Sequence, residues 1–160
     1  MIRPVTLQDA SAIAAIYNEY VEHSTATFET EPVSEETMRA RIADIITTYP
    51  YIVYEAEGAV IAYSYVHAWK TRKAYEHTAE TTIFVHPDHK RKGIGLELVR
   101  QLIEECRQRN LHVLIACITT SNTSSIILHQ KLGFQQVSHY REVGWKFDQW
   151  LDVADYELIL

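Results

Sequence analysis

The sequence predicts an α/β fold in which helices flank a sheet of mixed, mostly antiparallel strand direction. Three observations point to it. Two amphipathic helical segments are followed by three strand-like runs in succession, which is the signature of hairpins. Helix and strand then alternate, which requires crossover connections. The run Val113–Ile118 is continuously apolar, as suits a strand covered on both faces. The resulting order is α-α-β-β-β-α-β-α-β-β, with a short strand at Ile2–Val5 before it. A doubly wound dinucleotide fold would alternate from the start, and this chain does not.

Each element has a local reason. Thr6 and Asp9 have capping-box spacing, and Ile13, Ile16, Tyr17, Tyr20 and Val21 fall on one face of the helix that follows. A polar, irregular segment runs from His23 to Pro32. Ser34 is an N-cap for a second helix, Glu35 and Glu36 suit its first turn, and Met38, Ile42, Ile45, Ile46 and Tyr49 make its apolar face before Pro50. Tyr51–Ala56 and Val60–Trp69 read as strands around a Glu57-Gly58 turn. After a basic-aromatic loop, Lys70–Tyr75, a third strand covers Thr78–Val85. A helix is predicted from Ile94 to Arg109, and a shorter one from Thr123 to Leu132 that ends at Gly133. The last strands are expected near Phe134–Val143 and Val153–Leu160.

Composition narrows the function classes. The 160 residues are 47% hydrophobic and 22% charged, which indicates one folded domain over residues 1–160. The net charge of −6 argues against general nucleic-acid binding. No stretch reaches the roughly 20 apolar residues of a membrane span. Met1-Ile2-Arg3-Pro4 opens no secretory h-region, and two cysteines make no disulfide framework, so a cytoplasmic location is expected. Cys106 and Cys117 both fall in apolar patterns and read as buried thiols. His86 and His89 lie in a proline-containing turn without a third ligand, so no metal site is predicted.

The most informative stretch is Lys90-Arg91-Lys92-Gly93-Ile94-Gly95, placed between a strand and a long helix. Glycines at a helix entrance admit a ligand close to the backbone. The first helical N–H groups lack partners and carry the positive end of the helix dipole. That is a design for a pyrophosphate. Neither of two nucleotide motifs fits. A P-loop would need Lys-Ser/Thr after the second glycine, where Leu96-Glu97 stands, and a dinucleotide fingerprint would need a third glycine where Leu98 stands.

Lys90-x-x-Gly93-x-Gly95 resembles the Arg/Gln-x-x-Gly-x-Gly/Ala signature of the GNAT acetyltransferases. A second stretch similar to that family runs from Asn122 to Phe134 and contains Ser125, Leu128, His129, Lys131 and Gly133. Further segments resemble the phosphinothricin/methionine-sulfoximine branch: Phe28–Pro32, Trp69–Tyr75, Thr78-Ala79-Glu80, Val143-Gly144-x-Lys146 and Trp150-x-Asp152-Val153. The chain departs from the pattern in having Lys90 for the commoner Arg or Gln, and Gln130 after His129.

The resemblance implies acetyl-CoA as donor, a primary amine as acceptor, no metal, and a homodimer. It assigns the pantetheine arm to the backbones of Ile83, Phe84 and Val85. The pyrophosphate falls to Arg91, Lys92, Gly93, Ile94, Gly95 and Leu96, with Asn122, Ser125 and Lys131 as further cofactor contacts. Glu80 is the candidate base. An amine with a pKa of roughly 10 is only about one-thousandth neutral at pH 7, so a carboxylate that accepts its proton accelerates attack. His129 is a candidate proton donor to the leaving thiolate, since an imidazole titrates near neutrality. Lys70, Thr71 and Arg72, with Thr81, Thr82 and Phe28, are candidate contacts for a zwitterionic substrate, whose carboxylate needs a cation. The expected acceptors are phosphinothricin or methionine sulfoximine. An acetyltransferase of protein N-termini or lysines, and a non-catalytic CoA-binding module, are the competing readings. An open acidic groove at Glu80 would favour the first, and a Glu80 buried away from the thioester the second.

Overall fold

The computed structural model describes residues 1–160. After a short strand β1 (Ile2–Pro4), Asp9 accepts the Thr6 N–H at 2.7 Å and a two-pronged ion pair from Arg3. These contacts fix the entry to helix α1 (Ala10–His23). Helix α2 (Glu35–Ile45) starts on Ser34, whose hydroxyl accepts the Thr37 N–H. Strands β2 (Tyr51–Ala56), β3 (Ala59–Ala68) and β4 (Thr78–Val85) form antiparallel pairs. Helix α3 (Ile94–Gln108), strand β5 (Val113–Thr119) and helix α4 (Thr123–Lys131) follow. The chain closes with β6 (Gln135–Gln136), β7 (Tyr140–Lys146) and β8 (Gln149–Ile159).

All eight strands belong to one sheet, ordered β1-β2-β3-β4-β5-β8-β6, with β7 pairing β8 beyond β6. The one parallel junction is β4 with β5; every other pair is antiparallel. Helices cover both faces. On one, Ile94, Leu98, Val99, Leu102, Ile103 and Cys106 of α3 are buried against Val66, Ala79, Leu114 and Ala116. On the other, Ile13, Ile16 and Tyr20 of α1 and Met38 and Ile42 of α2 pack on Tyr51, Val53, Tyr63 and Phe84. Burying each large side chain contributes about 1.5–3 kcal/mol. No helix is long and apolar enough to cross a membrane.

The C-terminal strands and Cys117 depart from expectation. The strand expected over Phe134–Val143 is two strands. Between them the Ser138 hydroxyl accepts the Asp155 N–H and donates to the Asp155 carboxylate, each at 2.9 Å, so side-chain bonds replace the ladder there. The final strand also begins earlier than Val153, at Gln149. Phe147 and Asp148 both have positive φ, 54° and 57°, and make a tight hairpin turn without glycine.

Cys117 is a further correction. It is exposed, whereas Cys106 is buried. The strand β5 is covered on both faces along most of its length, but at Cys117 one face opens into the space described next.

Candidate active site

The parallel ladder between β4 and β5 covers only Thr78–Glu80 opposite Val113–Ile115. Beyond it β4 continues to Val85 and β5 to Thr119 with no ladder between them. Each strand stays held on its outer side, β4 by β3 and β5 by β8. The gap leaves backbone polar groups of both strands unpaired within the sheet, and such groups require partners. A cleft of about 840 Å³ occupies the gap. Glu80 to Val85 form one wall, and Ala116 to Thr119 with Asn122, Ser125, His129 and Lys131 form the other. Tyr17, Tyr20, Ser24, Ala26 and Thr27 close it from the α1 side.

The glycine turn lies at the mouth. Arg91 (φ 62°) and Gly93 (φ 80°) are left-handed, and Gly93 caps α3. Lys90, Arg91 and Gly93 through Leu96 line the cleft; Lys92 does not. The two glycines serve different ends. A Cβ on Gly93 would meet nothing within 4 Å, so its requirement is the positive φ. A Cβ on Gly95 would come within 2.9 Å of Leu128 Cδ1, so that glycine permits α3 and α4 to approach. Lys90 is partly engaged, its Nζ lying 4.8 Å from the Tyr20 ring centre.

Glu80 is at the inner end, where the strands part, with its side chain 30% exposed. Burial raises its pKa, the charge of Asp155 adds to this, and nearby His67 opposes it. His67 is its cross-strand neighbour, with Nε2 4.0 Å from Glu80 Oε2. Cys117 also faces this end. Although its surface opens into the cleft, partial desolvation by the cleft walls, together with Glu80 and Asp155, pushes its thiol up to about 12, so it holds no nucleophilic thiolate at neutral pH.

His129 is almost fully buried and packs edge-on against Phe134. Its Nδ1 lies 2.7 Å from the Ser125 carbonyl, which can only accept, so Nδ1 carries the proton. Nε2 is buried with no partner. Burial lowers the pKa of the ring. The neutral imidazole therefore presents a lone pair at Nε2 and has no proton there to give. In that tautomer the position on the ring that remains open is a hydrogen-bond acceptor at Nε2. Asn122 combines two roles: its side chain caps α4 through the Ser125 N–H at 3.4 Å, and it lines the cleft.

Thr81 and Thr82 also line the cleft, but Lys70, Thr71, Arg72 and Phe28 lie outside the cleft of one chain. The Lys70 ammonium instead sits over Trp69, 4.3 Å from its ring centre. Phe28 packs on Gly144, where a Cβ would come within 2.3 Å of its ring. That contact belongs to a set that holds the segment after α1. Lys146, buried at 4% exposure, donates to the carbonyls of Ser24 (2.7 Å) and Thr27 (2.8 Å). The Thr119 hydroxyl donates to the Thr25 carbonyl at 2.7 Å, and Tyr17 bonds both Thr27 and Glu29. Sequence reasoning missed Tyr17, Tyr20, Thr27, Tyr65 and His67. For Tyr65 and His67 a signal existed: antiparallel pairing of β3 with β4 places them opposite Thr82 and Glu80.

An extended edge leading from a carboxylate to a helix-capping glycine turn defines a site for a long phosphorylated cofactor. The acetyltransferase (GNAT) domain family matches residues 2–154, and the chain belongs to the GNAT acetyltransferases. It is 37% identical to an L-amino acid N-acyltransferase of Escherichia coli, across 99% of this chain and 93% of that one. It is 36% identical to an L-methionine sulfoximine/L-methionine sulfone acetyltransferase of Salmonella typhimurium, across 99% and 94%. A phosphinothricin acetyltransferase from Sinorhizobium meliloti, solved in complex with acetyl-CoA, superposes with a TM-score of 0.97 at 36% identity, covering 100% of this chain and 88% of the other. Acetyl transfer from acetyl-CoA to an amine is the activity of this class.

Proposed function

We propose that residues 1–160 form one domain that transfers acetyl from acetyl-CoA to the primary amine of a small amino-acid-like substrate. Phosphinothricin and methionine sulfoximine are the favoured acceptors. The observation that carries this reading is the placement of Glu80 at the closed end of an unpaired strand edge whose other end meets the glycine turn. The relatives named for amino-acid-like acceptors support it.

When bound, acetyl-CoA supplies a thioester carbonyl open to attack. The chain's contributions follow from its own groups. Along the open edge around Phe84, the backbone groups of Ile83 and Val85 turn away from β3 and toward the pantetheine arm, with the Val85 carbonyl already accepting the Tyr20 hydroxyl. The N–H groups of Arg91 through Leu96 offer donors to the pyrophosphate, with the charge of Lys92 nearby and Asn122, Ser125 and Lys131 on the facing wall. The buried lone pair of His129 Nε2 awaits a donor in the cleft, which fits an occupant carrying N–H, O–H or S–H groups. Glu80 takes the proton from the substrate ammonium, and its raised pKa brings it nearer the operating pH. The amine then attacks directly. The second proton of the attacking nitrogen, shed as the adduct collapses to the amide, passes through water to the departing thiolate, because His129 has none at Nε2. Thr81 and Thr82 offer hydroxyl or backbone contacts to the acceptor.

The reading includes a homodimer in the cytoplasm. Val143, Trp145, Phe147 and Trp150 stand 52–61% exposed on the β7–β8 hairpin, an apolar face that a second copy would cover. Closure by that copy would give Lys70, Thr71, Arg72 and Phe28 a route to the substrate carboxylate, which no cleft residue beside Glu80 otherwise serves.

A thiol-release assay with acetyl-CoA across phosphinothricin, methionine sulfoximine, common amino acids and an N-terminal peptide tests the substrate class. Turnover is expected to be highest with the two glutamate analogues. Preference for the peptide would overturn the small-molecule reading, and no release with any amine would overturn catalysis. Sizing by light scattering at micromolar concentration should give twice the 18.5 kDa chain mass; a monomer would refute the dimer.

A further inference from the structure

The proposed mechanism requires Glu80 to be ionised when the ammonium arrives, yet its surroundings oppose that. Burial and the carboxylate of Asp155 both disfavour the charged form. His67 is the one basic side chain in contact with it, and it occupies the directly opposed position on β3. Its ring orientation is informative. Nδ1 lies 3.0 Å from the Ala68 carbonyl, which accepts only, so Nδ1 bears a proton. The face turned to Glu80 is therefore Nε2, at 4.0 Å from Oε2. A neutral ring would aim a lone pair at a carboxylate, whereas an imidazolium aims an N–H. Tyr65, 6.0 Å away between ring centres, flanks the imidazole on the same strand.

We propose that His67 is the positioning residue of the base: as an imidazolium it holds the Glu80 carboxylate ionised and extends amine activation to lower pH. The proposal rests on Glu80 being the base. Of the other titratable groups on this face of the sheet, Tyr65 on β3, Cys117 on β5, and Asp155 and Glu157 on β8 carry no positive charge, while the Lys146 ammonium on β7 is bonded to the Ser24 and Thr27 carbonyls. From the helix side, Glu29 and Arg41 pair with each other and act on Tyr65. No second cation contacts Glu80, and His67 is the one charge that favours its ionised form.

The test is the pH dependence of kcat/KM for the amine in the wild type, His67→Gln, His67→Lys and Glu80→Gln. Substrate ionisation is common to all four and cancels in the comparison. His67→Gln should move the acid limb up by about half to one pH unit, the scale of one unit charge near 4 Å at a half-exposed site, while the high-pH plateau stays within about twofold. His67→Lys should restore the limb to the wild-type position or below. Raising the salt concentration should move the wild-type limb toward that of His67→Gln, a readout that needs no variant to fold. An acid limb that neither His67→Gln nor salt displaces would overturn the proposal. Glu80→Gln keeps the two readings apart. If it abolishes turnover while the His67 variants leave the limb in place, only the role of His67 falls. If it retains turnover and the limb, Glu80 is not the base, and both fall.

Discussion

The glycine-turn end of the cleft is made of backbone from one continuous stretch, residues 81–96, whereas the amine end is made of side chains brought together from across the chain. At the first, the strand edge, the turn and the helix N-terminus follow one another in sequence, and their functional groups are main-chain N–H and C=O. At the second, the wall formed by residues 24–28 is tied by Lys146, Thr119, Tyr17 and Gly144, and Glu80 sits opposite His67. A backbone site tolerates side-chain change except where φ is positive, as at Gly93, or where a Cβ would collide, as at Gly95. A site held by single side chains fails at each tie. On the proposed function, substrate choice therefore falls to the end that mutation alters most readily, and cofactor binding to the end that resists it.

Substitutions at the two ends should separate along this line. The largest effect belongs to Glu80→Gln, expected to lower kcat by about 10²–10⁴-fold, the span of general base catalysis, with acetyl-CoA affinity nearly intact. Isothermal titration with acetyl-CoA and steady-state rates would show the split, and unchanged turnover would break the comparison. Gly93→Val comes next. Its Cβ has open space, so the penalty is the φ of 80°, roughly 1–3 kcal/mol, and it should weaken acetyl-CoA binding about tenfold while the amine KM moves little. Normal acetyl-CoA affinity in that variant would count against the pyrophosphate assignment.

Lys146→Met should do the reverse. Burial lowers the pKa of this ammonium, and its loss strands the carbonyls of Ser24 and Thr27. The expected cost is about 1–3 kcal/mol of stability, read by denaturant titration, together with a several-fold rise in amine KM and an unchanged acetyl-CoA KM. Equal rises in both KM values would erase the distinction between the ends. The smallest effect is expected of Cys117→Ser. With the thiol pushed up to about 12, iodoacetamide should label it slowly at pH 7.5, and the variant should turn over as the wild type does. An acetylated Cys117 in a quenched reaction would instead reveal a covalent route.

The same contrast governs what sequence alone conveys. Strand β4 and helix α3 are legible because periodicity, the glycines and the turn residues are all local, and the predicted bounds Thr78–Val85 are those of the structure. The capping of α2 by Ser34 is similarly local. The end of the chain is less so. Ser138 breaks a strand by bonding Asp155, a partner set by the sheet rather than by neighbours in sequence. Phe147-Asp148 turns without glycine or proline, and so gives no turn signal. At the site, Glu80 and the glycine turn come from motif and spacing. The parting of β4 from β5, which makes the cleft, depends on where a ladder stops, and periodicity is silent on that. His129 shows a further limit: the residue is visible in sequence, but which ring nitrogen carries the proton depends on the Ser125 carbonyl.

The central claim is that the open edge of β4 aligns the donor so that its acetyl group reaches Glu80. A crystal structure of the chain with acetyl-CoA tests it most directly. The account predicts pantetheine amides bonded to the backbone of Ile83–Val85, pyrophosphate oxygens on the N–H groups of Arg91–Leu96, and the thioester at the Glu80 end of the cleft. Acetyl-CoA bound elsewhere, or bound with its thioester pointing away from Glu80, would contradict it.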